Sequence, residues 1–245
     1  MINYKNFKIS KLNTPEFSYL KLLIFWPLYG ITFWLLERGI KLTYHPVYCP
    51  LDDSIPFCEF FVFAYYFWFV FLVGIHIYTL LFDIPAFKKL MYFIMITYIT
   101  TCIIYIFYPT MQDLRPTEFE RSNFCVWIVK RLYAFDTNTN VCPSLHVIGS
   151  FAVLFTAWNS KKFSTPIWRF AFTVTAVLIS ISTVFLKQHS VIDIAVALVI
   201  CAAAYPFAYI LPEKRAAKRE SLKASESPSS YAPESEPEKV SATQE

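Results

Sequence analysis

The sequence predicts an all-α, polytopic membrane protein, a bundle of six transmembrane helices, and three observations carry that expectation. Apolar residues make up 56% of the 245 and charged residues only 16%, with a mean hydropathy of +0.43. The apolar residues come in long blocks with the charges confined between them, as in a chain whose solvent is a bilayer. Lysine and arginine are spread unevenly over the connecting segments. These proportions exclude a disordered chain, a nucleic-acid-binding domain and an ordinary soluble enzyme. A net charge of +4 is too small to imply an anionic partner by itself.

The blocks fall at about 20–36, 57–82, 90–109, 145–158, 166–186 and 190–211. A spanning helix takes roughly 17–25 apolar residues, a length that the second, third, fifth and sixth blocks reach alone and the first reaches with its flanks. The fourth, Leu145 to Trp158, is short. Lys161 and Lys162 after it read as an interfacial stop, with a buried or re-entrant segment as the alternative. The chain starts polar and basic, and no small-residue cleavage site follows the first block, so the first helix is expected to stay as an anchor. Past Leu211 the composition turns to Ser, Glu, Pro and Lys, which predicts disorder. The organisation is thus a cytoplasmic segment 1–19, a membrane domain 20–211 and a disordered cytoplasmic tail 212–245. Twice as many Lys and Arg flank the segments on the side of the termini as flank the other loops. Both termini are therefore expected in the cytoplasm, and the loops after helices one, three and five outside it.

Those outer loops carry the residues with chemistry. In LKQHSVIDIAVALVI, His189 and Asp193 stand four apart, on one face of a helix, near enough for the carboxylate to accept a proton from one ring nitrogen and leave the other for nucleophilic attack. An intramembrane carboxylate is a functional candidate by default; a structural His–Asp bond at a helix end is the plainer reading. In NVCPSLHVIGSF, Pro143 and Ser144 precede a helix start, where free backbone N–H groups make an anion site, and His146 offers a general acid. A capping Ser with an incidental His is the alternative. In YPTMQDLRPT, Arg115 before Pro116 presents a planar fork suited to phosphate oxygens, or snorkels to head groups.

Two further stretches have a place. FCVWIVKRLYAF at 124–135 puts Phe124, Ile128, Leu132 and Phe135 near one face, predicting a helix lying at the interface. The basic run PEKRAAKRESLK is expected against anionic cytoplasmic lipids. Among the six cysteines, Cys49, Cys125 and Cys142 fall on the outer side, where a disulfide is permitted, and Cys125 with Cys142 is the first choice of pair.

The three loop stretches together resemble the type 2 phosphatidic acid phosphatase (PAP2) superfamily of membrane proteins, whose pattern is KxxxxxxRP, PSGH and SRxxxxxHxxxD. This chain has Arg115-Pro116, then Pro143-Ser144-Leu145-His146, then Ser182-Thr183 followed by His189 and Asp193. Tyr108 stands where the family has its Lys, Leu145 where it has Gly, and Thr183 where it has the second Arg. The PSLH and KQH strings and LDDSIPF at 51–57 are similar to the inositol phosphorylceramide synthase-like branch. The resemblance implies catalytic residues His189, His146 and Asp193, and phosphate-binding residues Arg115, Ser144, Leu145 and Lys187. It implies a lipid phosphate substrate, a phosphohistidine intermediate and no metal or other cofactor. The acceptor is left open: water makes the protein a phosphatase, and an alcohol makes it a head-group phosphotransferase. A polytopic binding or transport protein is the non-enzymatic alternative.

Overall fold

The computed structural model describes residues 8–39 and 43–226, so Lys5, Lys41 and the expected tail beyond 226 lie outside the described residues. Nine α-helices are described: α1 (Phe25–Trp34), α2 (Leu51–Ser54), α3 (Val62–Phe82), α4 (Ile84–Phe107), α5 (Phe124–Phe135), α6 (Leu145–Asn159), α7 (Pro166–Phe185), α8 (Val191–Tyr205) and α9 (Leu211–Glu226). Five helical stretches among the described residues are long and apolar enough to cross a membrane: Ser18–Gly39, Glu59–Phe82, Ile84–Phe107, Pro166–Phe185 and Val191–Leu222. The sixth expected helix, α6, is the short one. Its 15 residues rise only about 22 Å, less than the roughly 30 Å of a bilayer's hydrocarbon core. It sits inside the bundle, against α3, α4, α7 and α8, and buries Val147, Ile148, Ala152, Val153 and Ala157. Gly149 lets the Trp68 indole lie across α6, because a Cβ there would stand 2.7 Å from Trp68 Nε1. The outer faces carry Val70, Ile77, Ile103, Val177 and Val199, all exposed, as lipid-facing side chains must be.

Two boundaries and one strand pairing differ from the sequence reading. Helix α4 starts at Ile84, not near 90, because Asp83 closes α3 and caps α4 by accepting a hydrogen bond from the Ala86 N–H at 3.1 Å, with Pro85 in the first turn. Lys88 and Lys89 are thus helical, and Lys89 forms an ion pair with Glu213. The last helix does not stop at Leu211. A π-helical turn, Pro206–Ile210, accommodates the proline, and α9 continues where composition predicts disorder. The all-α expectation also omits a two-residue parallel pairing, His45–Pro46 (β1) with Thr110–Met111 (β2), through which loop backbone at the bundle end satisfies its own hydrogen bonds.

The connections sort to two ends. At one end Ser160 donates to Asp83 at 3.4 Å, and Tyr19 packs edge-on against Phe87 at 5.9 Å. At the other, the 43–58 loop, the 108–144 segment and the α7–α8 connection are hydrogen-bonded together: Gln112 Nε2 donates to Lys187 O at 3.0 Å, and the Cys58 N–H to Phe185 O at 3.0 Å. Helix α5 belongs to this second end. It buries Cys125, Val126, Val129 and Leu132 while Phe124 and Phe135 are exposed, so its buried face is rotated from the one the sequence marks out. All six cysteines are free, Cys125 and Cys142 included.

Candidate functional site

The site is built at that second end, starting from the α7–α8 connection. After Phe185 the chain turns back through Lys187, whose φ of 51° is left-handed, and the N–H groups of Gln188 and His189 both bond Thr183 O, at 2.9 and 3.2 Å. Ser190 then caps α8. Asp193 completes a capping box, its Oδ2 accepting the Ser190 N–H at 3.0 Å. The same oxygen lies 3.0 Å from His189 Nδ1, which holds the imidazole and leaves Nε2 as its other ring nitrogen. Asp193 is fully buried. One local motif, a helix start, therefore does both the structural and the orienting work between which the sequence could not decide.

His146, in the first turn of α6, comes to the same place: the two imidazole centroids are 6.2 Å apart. Its ring stacks on Tyr65 at 4.1 Å and leans on Trp68 at 4.5 Å. Among the described residues His146 Nε2 is buried without a partner, as is Ser144 Oγ. The Ser144 N–H bonds Asp193 O at 3.2 Å, joining the two helix starts. The first turn of α6 leaves its own N–H groups without intrahelical acceptors. A cavity of 340 Å³ opens beside Leu145, His146 and His189, and its wall continues through Gln188, Asp136, Asn140 and the rings of Tyr29, Tyr98 and Tyr105. Its lining is mostly aromatic, and Glu37, Asp136, Thr137, Thr139, Asn140 and Gln188 are its polar side chains besides the histidines.

Two expected phosphate ligands are placed differently. Lys187 does not line the cavity; its Nζ donates to the backbone oxygens of Asp52 and Ile55 at 2.6 and 2.5 Å. Burial lowers its pKa, against the opposing pull of Asp52 and Asp53. Arg115 lies behind the wall, stacked on Tyr133 at 4.6 Å and donating to the backbone oxygens of Tyr133, Asp136 and Thr137 and to Gln188 Oε1. It ties the 133–137 segment to the residue next to His189. His146, His189 and Asp193 are thus brought together with Ser144 and Leu145, whereas Lys187 and Arg115 brace the loops around them.

Three carboxylates absent from the sequence reading surround the site: Glu37, bonded to Thr137 and Asn140, and Asp136 line the cavity, and Asp52 braces the start of α8. Asp52, 2% exposed, accepts from Ser190 Oγ at 2.7 Å, from the Val191 N–H at 2.8 Å and from the Cys49 N–H at 2.8 Å. Burial alone would raise its carboxyl; these bonds outweigh burial and hold it below the ordinary carboxylate range. A carboxyl lowered by folding contributes stability above its unfolded pKa, and that contribution is lost as pH falls through the lower folded value. Asp52→Asn is therefore expected to lose about 1–3 kcal/mol near neutral pH. The gap to the parent should close below about pH 4, as read by thermal melting in detergent across pH. Asp136 lines the cavity and accepts from Tyr65 OH at 3.1 Å. Burial raises its carboxyl, against the lowering by His189 and the Tyr65 hydroxyl. The LDDSIPF string holds Asp52, but nothing in the run FDTNTN marks Asp136. Near Asp193, burial and that carboxylate push the Cys142 thiol up to about 12.

In comparisons with known proteins, no curated protein and no solved structure matches the chain. A family model described as the PAP2 superfamily matches residues 86–217, from the start of α4 into α9. That stretch contains His146, His189, Asp193 and Asp136, and leaves Asp52, Tyr65 and Trp68 outside it.

Proposed function

Because the chain belongs to the PAP2 superfamily, we propose that it is an integral membrane lipid phosphate phosphatase that works without a metal, through a phosphohistidine on His189. The observation that carries the reading is the pair of imidazoles 6.2 Å apart on one cavity, with Asp193 bonded to one of them. In this reading His189 Nε2 attacks phosphorus while Asp193 accepts the Nδ1 hydrogen bond and stabilises the imidazolium. His146 Nε2, which has no hydrogen-bond partner among the described residues, gives its proton to the departing alkoxide. Ser144 Oγ and the N–H groups at the start of α6 receive the equatorial phosphate oxygens, where the helix terminus favours negative charge. Water then takes the phosphoryl group and His189 is restored. The aromatic remainder of the cavity, Tyr29, Phe33 and Tyr98 among its lining, holds the apolar part of the lipid next to the reacting phosphate.

In the same reading α6 is a sixth spanning helix, both termini are cytoplasmic and the cavity opens on the extracytoplasmic face. The bias of Lys and Arg toward the other end supports that orientation. A second reading, a head-group phosphotransferase of the inositol phosphorylceramide synthase-like kind, has its own support. The cavity wall also presents Thr137, Thr139 and Asn140, groups suited to a hydroxyl-bearing acceptor. The test is purified protein in detergent offered phosphatidic acid, phosphatidylglycerol phosphate, polyprenyl pyrophosphate and sphingoid phosphates, with and without alcohols. Free phosphate is the expected product. A new phosphate ester would favour the transferase, and no turnover on any of them would leave a binding or transport protein.

A further inference from the structure

We propose that the Asp136 carboxylate is the catalytic base of the second half-reaction, taking the proton from the hydroxyl, of water or of an alcohol, that attacks the phosphoryl group on His189. The inference rests on the phosphohistidine reading above and adds a residue to it. Asp136 follows directly on α5 and lines the same cavity as His146 and His189. It is held there from two sides: the Tyr65 hydroxyl donates to Oδ2 at 3.1 Å, and Arg115 fixes its backbone oxygen at 3.0 Å. Among the described residues Oδ1 has no hydrogen-bond partner. One carboxylate oxygen is thus anchored, and the other is unpartnered on a side chain that lines the cavity.

The chemistry divides the two proton transfers between two groups. In the first half-reaction the P–O bond to the lipid breaks as the P–N bond to His189 forms, and the proton goes from His146 to the lipid oxygen. In the second, the acceptor O–P bond forms as P–N breaks, and the acceptor proton goes to Asp136. The charge of the phosphoimidazolium keeps a neighbouring carboxylate ionised, and that hold is released as P–N breaks and His189 becomes neutral, so the carboxylate takes the proton as the acceptor bond forms. Returning the proton from Asp136 to His146, across the cavity that both line, resets the site. Tyr65 touches both partners, its ring stacked on His146 and its hydroxyl on Asp136.

The experiment follows the phosphoryl group in the full-length protein in detergent. Whichever of the four lipid phosphates named above the parent protein turns over fastest is added, labelled in its phosphate, and samples are quenched in alkali, where a phosphoramidate survives. Asp136→Asn, which keeps an acceptor for Tyr65, is expected to take up label close to the parent rate and then lose it at least about 100-fold more slowly. That slowing should hold whether water alone is present, giving free phosphate, or glycerol is added, giving a phosphate ester. Asp136→Glu should recover much of the loss rate. Label that leaves Asp136→Asn at the parent rate would overturn the proposal, and equal slowing of uptake and loss would make Asp136 a positioning residue instead. Failure of the unmutated protein to take up label would count against the phosphohistidine itself, a result distinguishable from either.

Discussion

His189→Ala is expected to bring turnover of any lipid phosphate to background, a loss on the order of 10⁴-fold or more, while leaving the protein folded. The two halves of that expectation come from different contacts. The catalytic half follows from removing the nitrogen that attacks phosphorus: among the described residues His146, stacked on Tyr65 and leaning on Trp68, has no carboxylate bonded to its ring as Asp193 is bonded to His189. A 10⁴-fold loss corresponds to about 5 kcal/mol of transition-state stabilisation, far more than one positioning contact supplies. The structural half follows because Asp193 Oδ2 keeps the Ser190 N–H, Asp52 keeps Ser190 Oγ and Val191, and the α8 cap survives without the imidazole. Phosphate release, alkali-quenched labelling and a melting curve on one preparation check it. Turnover persisting in a well-folded His189→Ala protein would remove the nucleophile from the mechanism.

What could be read from the residues alone depended on whether partners were close in sequence. The apolar blocks mark the membrane helices because a bilayer demands long runs, and the His189–Asp193 pair is visible because four residues make one helical turn. His146 was reachable through the helix start that carries it. Helix α4 starts before its apolar block because Lys88 and Lys89, which read as loop residues, sit on the helix at the membrane edge, where a long cationic side chain reaches water; the Asp83-x-Pro85 cap is the better signal. Lys187 was expected to face phosphate because it precedes His189 by two. No rule of spacing says that its ammonium instead meets the carbonyl oxygens of residues 52 and 55. Asp52 and Asp136 were illegible for the same reason. Each reaches its partners, Ser190 for one and Tyr65 for the other, across 138 and 71 positions of chain, and only the fold brings them together.

The second large effect is expected at Asp193, where two variants separate holding a helix end from holding an imidazole. Asp193→Asn keeps an oxygen for the Ser190 N–H, so the α8 start should persist and melting should move little. Its neutral amide cannot stabilise the imidazolium formed at His189, and it can present an N–H toward Nδ1, which favours the wrong tautomer. Activity should therefore fall by about 10³-fold or more. Asp193→Ala loses the cap as well and, with Asp193 fully buried, should add about 1–3 kcal/mol of destabilisation. If the carboxylate served only the helix end, the ordering would differ: the Asn variant would keep near-parent turnover, and the Ala variant would lose activity only in proportion to unfolded protein. Measuring kcat and melting temperature for both variants on the best substrate distinguishes the outcomes. Near-parent activity in Asp193→Asn would reduce the His189–Asp193 bond to architecture.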